Sequence, residues 1–130
     1  MNYPLGENAQ DRVRSKTGKR PGDITLSAVL AGEVSSEDIK ISQDVLHMQG
    51  QVALEAGKPQ MAANFERAGE LVDVPDDEIL RIYNMLRPKR AGKTELLDLA
   101  EHLRRRYSAE QCAALIEQAA AVYEKRGLLR

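Results

Sequence analysis

The sequence predicts an all-α protein, a compact arrangement of several short helices with an extended N-terminal arm. Three observations predict it. Hydrophobic residues make up 42% of the 130 residues while aromatics make up only 4%, so the core has to be assembled from Leu, Ile, Val and Ala, which suits helix-on-helix packing. Apolar positions recur at spacings of three and four along most of the chain, the period that gives a helix one apolar stripe. Ser, Thr, Gly and Pro fall at the ends of those stripes, where helices need caps and stops.

Residues 1–22 are expected to form the arm. They have neither a helical nor a strand period and carry Pro4, Gly6, Gly18, Pro21 and Gly22 among the basic residues Arg12, Arg14, Lys16, Lys19 and Arg20. Alone, such a segment buries too little to offset its chain entropy. A free tail gains nothing from the apolar trio Tyr3-Pro4-Leu5, whereas an arm lying on another protein would use it as an anchor, so a mobile tail and a docking arm are both open at this point.

Residues 23–130 are expected to form the helical domain. Leu26, Val29 and Leu30 share one side of a short helix that Asp23 or Thr25 can cap and Gly32 stops. Ser35-Ser36-Glu37-Asp38 signals a further turn. Ser42 caps a longer helix with Val45, Leu46, Met48, Val52 and Ala53 on one face, ended by Gly57, and Lys58-Pro59 restarts the chain. The most strongly punctuated stretch runs from Asn64 to Pro88. It sets two amphipathic patterns back to back, with Phe65, Ala68, Leu71 and Val72 on the first and Ile79, Ile82, Tyr83 and Leu86 on the second. Pro75 and the run Asp76-Asp77-Glu78 mark the start of the second, where a missing N–H is harmless and negative charge meets the positive end of the helix dipole. Thr94 is expected to cap the next helix, with Leu96, Leu97, Ala100 and Leu103 as its stripe. Ser108 and Gln111 have capping-box spacing for the last helix, which uses Cys112, Ala113, Ile116, Ala119, Ala120 and Tyr123 and ends at Gly127. Each helix is too short to be stable alone and must be held by packing.

Charge and cysteine content narrow the function classes. Lys and Arg total 19 against 20 Asp and Glu, a net charge of -1, so no global field draws the chain to nucleic acid or to an anionic membrane. The single cysteine, Cys112, excludes an internal disulfide and fits a reducing compartment. No segment approaches the length of a membrane span, and the start MNYPLGENAQ has no apolar signal region. A soluble, cytoplasmic protein is expected.

No motif in the sequence carries catalytic chemistry. Gly92-Lys93-Thr94 matches the end of a phosphate-binding loop, but Arg87 stands where the earlier glycine belongs and a helical pattern precedes it. His47 and His102 have no partner at metal-ligand spacing. Cys112 falls on an apolar stripe and reads as a buried structural thiol. The acidic group Asp73, Asp76, Asp77 and Glu78 lacks the spacing and glycine of a calcium loop. Two basic clusters, Lys89-Arg90 with Lys93 and Arg104-Arg105-Arg106, lack a recognition motif or an aromatic platform and read as a solvated or ion-paired face. No catalytic, metal or cofactor-binding residue is expected on this chain, which leaves an interaction or structural subunit.

Three segments carry a resemblance that covers most of the chain: the arm ending in Tyr3-Pro4-Leu5, the run TGKRPGDITLSAVLAGEVSSEDIKIS from Thr17 to Ser42, and the stretch Asn64 to Pro88. Their joint order, DITL, then AGEV, then IYN-x-LRP, resembles the small (gamma) subunit of the adenosylcobalamin-dependent diol and glycerol dehydratases. The likeness thins after Lys89. The resemblance implies a mostly helical, non-catalytic subunit of a lyase, packed on the large subunit of a heterohexamer with two copies each of large, medium and small subunits. In the family, substrate and metal lie in the large subunit's barrel, and the corrinoid, adenosylcobalamin, lies between large and medium subunits. The reaction is the radical conversion of a 1,2-diol to an aldehyde and water. Some relatives carry a longer N-terminal extension linked to packaging in a bacterial microcompartment. Here only Met1 and Asn2 precede Tyr3, which puts packaging by this subunit's own tail in doubt; the cytoplasm is the expected location, with a bacterial microcompartment left open because other subunits could carry the signal.

Propanediol is the expected substrate of the complex. A glycerol dehydratase small subunit and a small helical nucleic-acid-binding or regulatory protein are the alternatives. No nucleic-acid or membrane partner is expected. The surface expected to meet the large subunit comprises Tyr3, Pro4 and Leu5 on the arm, Ile24 and Leu26 in the DITL block, and Arg67, Glu70, Arg81, Tyr83, Asn84 and Arg87 in the Asn64–Pro88 stretch.

Overall fold

The computed structural model describes residues 3–130. Met1 and Asn2, placed by the sequence ahead of the Tyr-Pro-Leu segment, lie outside the described residues. Among the described residues the regular structure is helical: α1 (Leu5–Asn8), α2 (Leu26–Leu30), α3 (Gln43–Glu55), α4 (Pro59–Glu70), α5 (Asp76–Met85), α6 (Lys93–Tyr107) and α7 (Glu110–Arg126), with 3-10 turns at Pro21–Asp23 and Ser36–Ile39. The expected all-α class is what the fold shows. The chain divides into two compact units, Met1–Val72 and Asp73–Arg130.

The first unit is built on the α3–α4 pair. Ser42 starts α3, its hydroxyl accepting the Val45 N–H at 3.2 Å. Gly57 ends it with a left-handed φ of 75° that lets the Lys58 N–H reach back to the Ala53 carbonyl at 2.9 Å. Pro59 then opens α4 as its first residue. The two helices approach closely at glycine: a Cβ on Gly50 would lie 3.5 Å from the Ala62 carbonyl and 3.0 Å from a Glu66 carboxylate oxygen. Residues 3–22 lie on this unit rather than standing away from it. Leu5 and Ala9 are buried with Val45 and Met48, against which Val13 and Val52 pack. Ser15 forms an isolated antiparallel bridge with Ile41, the Lys16 N–H reaches the Lys40 carbonyl at 2.7 Å, and the Thr17 hydroxyl donates to Asp38 at 2.6 Å.

The second unit contains α5, α6 and α7, with α6 and α7 packed as a hairpin. Leu96, Leu99, Ala100 and Leu103 of α6 and Cys112, Ala113, Ile116 and Ala120 of α7 are buried, so α6 supplies most of the large side chains and α7 most of the small ones. Ion pairs at both ends of the hairpin fit its antiparallel course, Lys93 with Glu124 at one end and Arg104 with Glu110 and Glu117 at the other. The Tyr123 hydroxyl donates to the Leu86 carbonyl at 2.5 Å, joining α7 to the end of α5.

Several local expectations need correction. Leu99 takes the buried place given to Leu97, which is 40% exposed. Gly92, and not Thr94, is the N-cap of α6, its N–H reaching the Glu95 carboxylate at 3.4 Å. Ser108 adopts a left-handed φ of 53° as the C-cap of α6, and Ala109 is the N-cap of α7 without a side-chain cap. A connection this short has to turn at Ser108, which takes it out of the capping box expected with Gln111. The Asn64–Pro88 stretch is not one helix pair: α4 belongs to the first unit with α3 as its partner, and α5 to the second.

Candidate partner interface

The segment from Thr25 to Ile41 carries a dense group of exposed apolar residues. Thr25 caps α2, its hydroxyl accepting the Ala28 N–H at 3.1 Å, and Gly32 ends the helix at a φ of 77° with the Glu33 N–H bonded to the Ala28 carbonyl at 2.9 Å. These caps fix both ends of a helix of five residues that has little else to hold it. Ala28 is its one buried residue. Leu26 and Leu30 are 76% and 79% exposed, Val29 48%, and Ile39 and Ile41 beyond the helix 62% and 46%. The Ser35 N–H and hydroxyl both reach Asp38, at 2.8 and 3.3 Å, which holds the turn that presents Ile39. Hydrogen bonds, first from Thr17 and then from the Ser35 N–H, hold the Asp38 carboxyl below its ordinary pKa.

The expected interface residues fall into the two units. Tyr3 is 71% exposed and Pro4 is exposed, whereas Leu5 is 4% exposed and sits in the first unit's own core. Ile24 is half-buried and Leu26 exposed. Arg67 is half-buried and hydrogen-bonds Asn64 within α4, and Glu70 is half-buried. Arg81, Tyr83, Asn84 and Arg87 belong to the second unit, all exposed. Arg81 stands 4.0 Å from Glu78, and Tyr83 is 67% exposed. Val29, Leu30, Ile39, Ile41 and Leu80 are exposed apolar residues that helical spacing alone does not mark as interface candidates. A helical stripe shows which residues share a side, and does not show whether that side is covered by the same chain.

Several polar side chains elsewhere are engaged within their own unit. Glu78 accepts the Tyr107 hydroxyl at 2.6 Å and the His102 ring at 2.6 Å. The Tyr107 bond is the larger cause that draws the Glu78 carboxyl below its ordinary pKa, and the same bond pushes the Tyr107 phenol up. His102 and Tyr107 also meet edge to face, with centroids 5.9 Å apart. Arg104 donates to Glu117 at 2.5 Å, Glu110 at 2.8 Å and Glu101 at 3.4 Å, and the first two carboxylates, Glu117 before Glu110, raise its pKa further. Arg105 bonds Glu101 at 2.7 Å. The triple-arginine cluster is therefore largely matched by carboxylates of α6 and α7, which leaves little of it to neutralise phosphates. His47 bonds Glu66 at 2.8 Å.

Among the described residues no group of three or more His, Cys, Asp or Glu could hold a metal ion, and no polar or charged side chain is buried. No helix is long and apolar enough to cross a membrane. Cys112 is buried.

The family model for the dehydratase small subunit matches residues 1–130. The chain is 44% identical over 128 residues to the propanediol dehydratase small subunit of Citrobacter freundii and to that of Salmonella typhimurium, covering 98% of its own length and 74% of theirs. With residues 1–130 matched by the family model and two relatives 44% identical over 98% of the chain, the protein belongs to the dehydratase small subunit family.

Proposed function

We propose that the chain is the non-catalytic small subunit of an adenosylcobalamin-dependent propanediol dehydratase, docked through α2 and the turn after it on the large subunit of a cytoplasmic complex with two copies each of large, medium and small subunits. The observation that carries this reading is the exposed stripe Leu26, Val29 and Leu30 with Ile39 and Ile41. Covering one such side chain is worth about 1.5–3 kcal/mol, so several together favour a permanent partner over solvent. Both relatives are named as propanediol dehydratase small subunits, which supports the substrate and the class of complex. In this reading the cofactor is held by the partner subunits and no chemical step runs through this chain. Its role is to stabilise the subunit that does the chemistry.

Co-expression with the large and medium subunits tests the proposal. Leu26→Glu/Leu30→Glu should abolish co-purification while leaving the helical circular dichroism signal in place, because both side chains are exposed in the free chain. Large and medium subunits that assemble and turn over propanediol at full rate without this chain would refute the reading.

A further inference from the structure

We propose that the exposed edge of α5 and the loop after it form a second docking surface, one that takes a carboxylate-rich segment of the partner subunit around an apolar anchor. The proposal rests on the subunit reading above and adds the chemistry of a contact separate from α2. On α5, Leu80 and Tyr83 are 63% and 67% exposed. Leu80 lines an open depression whose walls include Arg81 and Arg90 and one carboxylate, that of Asp77. Arg87, Lys89 and Arg90 follow, all exposed.

Two features separate this patch from an ordinary solvated face. The first is charge matching. Elsewhere in the same unit Lys93, Arg104, Arg105 and Arg130 are each paired with a glutamate, whereas none of Arg87, Lys89 and Arg90 forms an ion pair with a described residue. Lys125 and Arg126 of the same unit are also exposed without an ion pair to a described residue, but Arg87, Lys89 and Arg90 put three such cations within four positions of one loop.

The second is that the loop is held in shape. Lys89 has a left-handed φ of 63° and donates its backbone N–H to the Leu128 carbonyl at 2.7 Å, and the Arg130 N–H reaches the Ala91 carbonyl at 3.0 Å. The Arg130 guanidinium also pairs with Glu95. The last residues of the chain thus strap the basic loop beside α5. Cations fixed next to exposed Leu80 and Tyr83 suit an acidic segment that also carries an apolar side chain, because ordering such a patch on binding costs less than ordering a mobile one.

The test titrates the full-length chain onto the purified large and medium subunits at increasing salt. Wild-type affinity should fall as salt rises. Arg87→Glu/Arg90→Glu should bind at least about tenfold more weakly at low salt and lose much of the salt dependence, as expected for charges at an interface rim. Arg87→Lys/Arg90→Lys should stay within a few fold of wild type, because the charge is kept, and Arg87→Gln/Arg90→Gln should fall between, serving in place of the reversal if that variant misfolds. Equal binding by wild type and the charge-neutral variant, or wild-type binding that ignores salt, overturns the proposal and leaves the subunit reading standing. No binding by the wild type overturns both. A duplex DNA of random sequence is run in parallel: if charge reversal abolishes DNA binding and leaves subunit binding unchanged, the patch is a nucleic-acid surface and the proposal is wrong.

Discussion

Glu78 accepts the Tyr107 hydroxyl and the His102 ring, partners 29 and 24 residues away, and these bonds decide how its charge enters stability. Its folded pKa lies below the ordinary value of 4.5, so the folded state binds its proton less tightly than the unfolded chain does. The stabilisation is therefore complete above that ordinary value and is lost as pH falls through the lower folded value. Urea unfolding followed from neutral pH into this acid window should show a smaller loss of stability for Glu78→Gln than for wild type, since the variant has no such proton to take up. Curves that run parallel would show that Glu78 contributes nothing to the acid limb. The sequence placed Glu78 in an acidic first turn and His102 as a lone histidine. Both placements are locally correct, and neither contains the bond, because only the packing of α5 beside α6 brings the two together.

Caps and glycines account for most of what local sequence could and could not tell at the level of elements. Ser42 was legible because its hydroxyl serves an N–H three residues on, a contact independent of distant structure. Thr94 had the same credentials and lost the position, since the chain enters α6 two residues earlier and Gly92 becomes the cap. The contrast is measurable: Ser42→Ala should cost about 1 kcal/mol in chemical denaturation, while Thr94→Ala should stay within about 0.5 kcal/mol, as an exposed substitution away from a cap does. Equal losses would mean that Thr94 caps α6 after all. The exchange of Leu97 for Leu99 has a similar origin. Leu96, Leu97, Leu99, Ala100 and Leu103 permit two overlapping stripes, and contact with α7 selects the one that is buried.

At the scale of the molecule, the arm and the two units bear on how much of the surface is left for a partner. Tyr3 and Leu5 are two positions apart and do different things: Tyr3 is 71% exposed and Leu5 is 4% exposed against Ala9, Val45 and Met48. Tyr3→Ala should weaken assembly with the large subunit without changing the unfolding midpoint of the free chain. Leu5→Ala should instead lower that stability by about 2 kcal/mol or more, through the cavity it leaves. Thermal unfolding of the isolated variants separates the two, and a Leu5→Ala chain as stable as wild type would show that the arm does not close the first unit.

The sequence by itself determined the helical class, the main helices and most of their ends, the buried thiol and the family, because these rest on periodicity, caps and ordered blocks that are local along the chain. Tertiary structure alone decided which stripes are covered. It gave Leu5 to the first unit's core while leaving Leu26 and Leu30 in solvent, matched Arg104 to three glutamates, and strapped the Lys89 loop with the last residues of the chain. The physical reason is that an apolar or charged side chain has the same local pattern whether its partner is in its own chain, in another chain or in water.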